Sequence, residues 1–116
     1  MNTLGSSGET LASDFLEKKG YTIVEKNYKT PLGEIDIIAK DSGMIVFIEV
    51  KTRATDSFGY PFEAVNARKR RKLKKLALLY MQRLREEVPA RFDILSIQIH
   101  AAGTHSIQHI TDAFEV

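Results

Sequence analysis

The sequence predicts one α/β domain spanning residues 1–116, a mixed central sheet flanked by helices in the order αβββαββ. Three observations predict it. Two segments, one near the start and one in the second half, repeat apolar residues at helical spacing. The three β-rich segments between them are joined by short turns, so they pair as hairpins and make the sheet mixed. A further alternating stretch follows Pro89, which closes the second helical segment.

The first helix opens at Ser6-Ser7-Gly8-Glu9, where Ser6 and Glu9 have capping-box spacing. Leu11, Ala12, Phe15 and Leu16 form its apolar stripe, and Lys18-Lys19-Gly20 suits its C-terminal end. Tyr21 to Lys29 is rich in β-branched and aromatic residues and reads as the first strand. Thr30-Pro31-Leu32-Gly33 then fits a type I turn.

Gly33 to Arg53, GEIDIIAKDSGMIVFIEVKTR, reads as two antiparallel strands joined at Ser42-Gly43. In that register Asp41 faces Met44, and residues whose numbers sum to 85 lie opposite each other. Asp36 then faces Glu49 and Glu34 faces Lys51, while Ile35–Val50, Ile37–Ile48 and Ala39–Val46 make the other face apolar. A slip of one residue would mix the two faces. From Met44 onward both faces are apolar until Glu49, the pattern of a central strand.

Thr52 to Pro61 has no clear period and reads as a loop carrying Arg53, Phe58 and Tyr60. The second helix starts near Phe62 or Asn66 and runs to Glu87, with Leu73, Leu76, Ala77, Tyr80 and Leu84 as its buried stripe. Phe92 to His100 is a strand, Ala101–Thr104 a turn, and Ser106 to Ile110 a short last strand.

Composition narrows the chemistry. The chain is 43% hydrophobic and 28% charged, an ordinary globular balance, and it has no cysteine, which removes disulfides and thiolate chemistry. No apolar run approaches the roughly 20 residues of a membrane span. The start, MNTLGSSGETLA, lacks the basic and apolar regions of a secretion signal. The expectation is a cytoplasmic protein without a membrane partner. Net charge is only +2, yet Arg and Lys fill seven of the eight positions from 68 to 75. Local charge sets the field that a polyanion meets.

Two carboxylates opposed on one sheet face repel unless one keeps a proton or a cation lies between them. Asp36, Glu49 and Lys51 therefore suit metal-assisted phosphoryl chemistry. Mg²⁺ takes one or two protein carboxylates, and a nearby ammonium can orient water or offset developing charge. The bland reading is a solvated ladder of ion pairs with Glu34 bonded to Lys51. Against it, Glu49 and Lys51 follow Ile45 and Phe47 on one face and so emerge from a core. Glu9 is either a cap or, from the edge of the packed helix face, within reach of the sheet. Val65, Lys69, Lys72 and Leu76 continue the second helix's stripe backwards, which sets Lys69 and Lys72 beside the carboxylates. Phe58 and Tyr60 could stack on bases or fill the core. His100, His105 and His109 show no ligand spacing and receive no role.

GEIDIIA…FIEVKTR, followed by FGYPFEAVNARKRRKL and LALLY, with Gly8-Glu9 and Leu11-Ala12 before them and FLEKKGY between, resembles the YraN family of uncharacterised bacterial proteins. That family is similar to the restriction-endonuclease-like superfamily, with its Asp…(Asp/Glu)-x-Lys motif, and within it to archaeal Holliday junction resolvases. Ile35 stands where the motif often has proline. The resemblance implies a restriction-endonuclease-like fold and a metal-dependent DNA endonuclease, acting on branched DNA if the resolvase likeness extends that far. It makes Asp36, Glu49 and Lys51 the catalytic acid, acid and lysine, with Glu9 as a further acid. Asp36 and Glu49 would hold Mg²⁺ or Mn²⁺, and Arg53, Arg68, Lys69 and Lys72 would bind the backbone of DNA, or equally of RNA. A homodimer would match the two-fold symmetry of a junction. The basic run and small size also fit a non-catalytic nucleic-acid-binding or adaptor module on the same fold.

Overall fold

The computed structural model of the chain describes residues 4–54, 66–84 and 87–114. Helix α1 (Leu4–Lys18) leads into strands β1 (Thr22–Thr30), β2 (Gly33–Asp41) and β3 (Met44–Ala54). Helix α2 (Ala67–Arg83) and strands β4 (Ala90–Ile99) and β5 (His105–Phe114) complete the order αβββαββ that the sequence predicts. The strands form one sheet in the order β1-β2-β3-β4-β5. All neighbours are antiparallel except β3 and β4, whose parallel pairing needs a crossover; α2 lies in that connection. This mixed α/β architecture is consistent with a restriction-endonuclease-like fold.

The predicted hairpin register is the observed one from Asp41↔Met44 to Ile37↔Ile48. Ser42 and Gly43 both have positive φ, 52° and 83°, as a two-residue turn matched to strand twist requires. Successive side chains along β3 then separate into two cores. Ile45 and Phe47 join Tyr28, Ile38, Phe92 and Ile94 under Leu73, Leu76, Ala77 and Tyr80 of α2. Val46 and Ile48 join Ile37, Ala39, Leu95 and Ile97 under Ala12 and Leu16 of α1. The central strand is thus covered on both sides.

Several boundaries differ from the expectation. Helix α1 already contains Ser6, so the Ser6–Glu9 capping box does not mark its start. Strand β3 continues through Thr52, Arg53 and Ala54, read as loop, because Ile97, Gln98 and Ile99 of β4 pair with them. Neither residue type nor alternation announces a partner supplied from so far along the chain. Strand β5 likewise runs to Phe114, held against β4 across a bulge between Phe92 and Ile94. Helix α2 is capped by the Asn66 side chain, which accepts from the Lys69 N–H at 3.0 Å, and it ends at Arg83, short of Glu87. Phe58, Tyr60 and Phe62 to Val65 lie outside the described residues.

Candidate active site

The β2–β3 ladder ends at Ile37↔Ile48, one step before the expected Asp36–Glu49 pair. Beyond it, the Val50 N–H donates to Asp36 Oδ2 at 2.8 Å, so a side-chain carboxylate takes the place of a backbone acceptor. The alternation of β2 breaks here as well. Ile37 and Ala39 pack on the α1 side, whereas Ile35 packs with Tyr28 and Ile38 on the α2 side. The apolar face expected from Ile35, Ile37 and Ala39 is therefore split at Asp36.

Burial, first, and the Glu49 charge, second, push the Asp36 carboxyl up to about 7, against the Val50 N–H and the Lys69 ammonium. Such a group is half protonated near neutral pH. Desolvation and a like charge make its ionised form costly, and a cation would relieve both.

Two acids approach Asp36. Glu9 comes from α1 and Glu34 from the start of β2; with Asp36, each offers a carboxylate oxygen within 4.8 Å of the others. Glu9 reaches the sheet because α1 rides close on β3 at Gly8. A Cβ there would lie 1.9 Å from Thr52 Oγ1, so only glycine allows this approach. Glu34, which the sequence pairs with Lys51, belongs to the acid group instead. The ladder that would have set it opposite Lys51 has already ended.

Glu49 is buried, 7% exposed, at the end of the Ile45–Phe47 face. Its Oε1 contacts the Lys69 ammonium and lies 3.6 Å from Lys51 Nζ. Lys69 sits in the first turn of α2, fixed by the Asn66 cap, as the backward stripe predicts. Burial opposes its charge, but the hydrogen bond and charge of Glu49 outweigh burial and raise its pKa. Burial, and then the neighbouring Lys69, lower that of Lys51 despite Glu49 and Asp36.

Of the basic residues expected on nucleic acid, Lys69 is thus drawn onto a site carboxylate. Arg68 and Lys72 are exposed and, with Asn66 and Lys69, line an open cavity of about 300 Å³ at the α2 N-terminus. Lys72 faces that cavity, while Leu73 beside it takes the buried position. Arg53 is half-buried on β3 at the level of Gln98.

Comparison with known proteins agrees with the sequence resemblance. The Uncharacterised protein family UPF0102 matches residues 8–97. The chain belongs to this family. A UPF0102 protein of Thermodesulfovibrio yellowstonii is 54% identical over 111 residues, which is 96% of this chain and 95% of the relative. One from Clostridium botulinum strain 657 is 44% identical over 116 residues, covering 97% and 94% of the two chains. The matched segment runs from Gly8 through most of β4, so it takes in Glu9, Glu34, Asp36 and Glu49 of this chain as well as Lys51 and Lys69.

The donor set of this UPF0102 chain fits a hard divalent cation. It is all oxygen, from Glu9, Glu34 and Asp36, and it includes a carboxyl with a raised pKa, whereas Glu49 stays outside this group, on Lys69. No histidine belongs to this acid group among the described residues. His109 is instead built into a separate buried network that sequence reasoning missed. Its Nε2 lies 2.7 Å from Asp93 Oδ2 and its Nδ1 2.8 Å from Lys19 Nζ. Asp93 is fully buried and also accepts from Arg91 Nε at 2.9 Å and the Asp112 N–H at 3.0 Å. Only the β4–β5 register, which sets His109 opposite Leu95, brings these residues together. The Arg91 guanidinium further bonds Asp41 and the Tyr21 hydroxyl. No helix among the described residues is long and apolar enough to cross a membrane.

Proposed function

We propose that this protein is a divalent-metal-dependent endonuclease that hydrolyses DNA phosphodiester bonds, with Asp36 at the centre of its site. The observation that carries the reading is the Asp36 carboxyl itself: half-buried, raised to about 7, with Glu9 and Glu34 converging on it and the Glu49 charge nearby. A sheet gains no stability from that arrangement, and a cation turns its cost into binding free energy.

Asp36 and Glu49 would hold Mg²⁺ or Mn²⁺, with Glu9 as a further acid and Glu34 beside it. The metal, when bound, would offset charge on the phosphate and make its water a nucleophile near neutral pH. The other roles fall to the chain's own side chains. Lys51, close to Glu49 and with a lowered pKa, orients the attacking water through its amine. In the metal-free protein Lys69 supplies the counter-charge of Glu49. Arg68, Lys69 and Lys72, which line the open cavity at α2, would take backbone phosphates, with Arg53 further along β3. In the net reaction the water oxygen bonds to phosphorus, the ester bond to the leaving sugar oxygen breaks, and that oxygen gains a proton.

Branched DNA acted on by a homodimer in the cytoplasm is the form of this reading that the resolvase likeness favours. A second reading has its own support. Lys69 already neutralises Glu49 without any metal, as a nucleic-acid-binding adaptor on this fold would require.

Mn²⁺- and Mg²⁺-dependent cleavage of junction, flap and linear DNA, with Asp36→Ala and Lys51→Ala in parallel, decides between them. Cleavage lost in both variants supports the nuclease. Undiminished cleavage in both assigns the activity elsewhere, and salt-sensitive DNA binding without metal binding supports the adaptor.

A further inference from the structure

Asn27 of β1 stands at the level of Asp36 across the β1–β2 ladder, where its neighbours pair as Lys26↔Ile37 and Tyr28↔Ile35. It has φ 53°, the left-handed region that a non-glycine residue occupies at a cost, though asparagine tolerates it better than most. The distortion on β1 thus coincides with the break in side-chain alternation at Asp36 on β2.

An asparagine in a strand irregularity ordinarily bonds its own local backbone. Here the amide reaches two other elements. Oriented to satisfy its neighbours, Asn27 Nδ2 donates to Glu9 Oε1 at 3.2 Å and to Glu34 Oε1 at 2.9 Å. The two hydrogens of one amide nitrogen therefore tie together two carboxylates that would otherwise repel. The choice of residue matters. Aspartate has no hydrogens to give, serine has one, and glycine accepts the backbone conformation but brings no donor.

We propose that Asn27 is a positioning residue that preassembles Glu9 and Glu34 beside Asp36 for the divalent cation. The proposal rests on the metal-site reading above. A ligand set held in place before the cation arrives loses less freedom on binding, and partners that orient metal ligands are typically worth about 10- to 100-fold in affinity.

The test is Mn²⁺ titration calorimetry on the full chain with Asn27→Gly, which keeps the left-handed backbone and removes the amide, and Asn27→Ser, which keeps one donor. Asn27→Gly should weaken Mn²⁺ binding about tenfold and Asn27→Ser less. Circular dichroism should stay unchanged, and any cleavage deficit should vanish at saturating Mn²⁺. Wild-type Mn²⁺ affinity in both variants, with binding lost in Asp36→Ala, overturns the role of Asn27 and leaves the site standing. Wild-type affinity in Asp36→Ala as well overturns the site reading and this role with it. If Asn27→Gly loses its folded spectrum, Asn27→Ser carries the same comparison.

Discussion

Replacing Asp36 by asparagine should stabilise the metal-free protein at alkaline pH while abolishing metal binding. Asp36 titrates near 7 in the folded chain, because burial and then Glu49 disfavour its charge. In the unfolded chain an aspartate titrates at about 3.9. Between about pH 4 and pH 7 the folded state keeps a proton that the unfolded state has released. Wild-type stability therefore falls as pH rises through that window, and the loss is complete above it. A pKa difference of about 3 corresponds to about 4 kcal/mol. The Lys69 attraction and the Val50 N–H bond are already contained in that raised value, so asparagine, as a mimic of the neutral acid, recovers nearly the whole difference. A gain of about 4 kcal/mol is expected at pH 8, or about 16 °C in Tm. Urea and thermal unfolding in a chelating buffer at pH 8 and pH 4.5 measure it. At pH 4.5 wild-type Asp36 is already neutral in the folded state and the gain should fall to about 1 kcal/mol. A variant no more stable than wild type at pH 8, or equally stabilised at both pH values, would refute the electrostatic account of the site.

Gly8→Ala should destabilise by about 1–3 kcal/mol, because its Cβ meets Thr52 Oγ1, and adding Thr52→Ala should recover much of the loss in a double-mutant cycle. Arg91→Ala should cost about 3–5 kcal/mol in chemical unfolding by leaving the buried Asp93 carboxylate short of its counter-charge. Burial alone would raise Asp93, but bonds from His109, Arg91 and the Asp112 N–H outweigh it and hold its pKa below the usual value. Its contribution is therefore present above about pH 4 and disappears as pH falls through the depressed folded value, which acid titration of Asp93→Asn against wild type will show. Lys72→Gln, at an exposed cation lining the α2 cavity, should weaken DNA binding evenly across sequences and reduce the slope of log K against log salt by about 1, measured by fluorescence anisotropy.

Much of this site is legible in the order of residues alone. The sum-of-85 register follows from apolar alternation and a Ser42-Gly43 turn, and both are local properties of the chain. The emergence of Glu49 from the Ile45–Phe47 core follows from the same alternation, and the placement of Lys69 follows from helical period. What escapes such reading is wherever the backbone departs from regularity. Asparagine tolerates a left-handed φ but does not announce one inside a strand, and the irregularity there coincides with the break that puts Ile35 on the other face and ends the ladder before Glu34 meets Lys51. Pairing across long separations is equally hidden. Thr52 to Ala54 read as loop until β4 supplies their partners, and Asp93 and His109 read as unrelated until β5 folds back on β4. The first-helix glutamate shows the same limit in another form. Its capping-box spacing suggests a local role, whereas its carboxylate joins a group drawn from β2.

A crystal soaked in Mn²⁺ and measured by anomalous scattering shows whether Asp36 ligates a divalent cation. An anomalous peak is expected on a carboxylate oxygen of Asp36, with Glu9, Glu34 or Glu49 completing the protein ligands. A saturating soak that leaves no peak at Asp36, with the Lys69 ammonium still seated on Glu49, would contradict the metal-site reading.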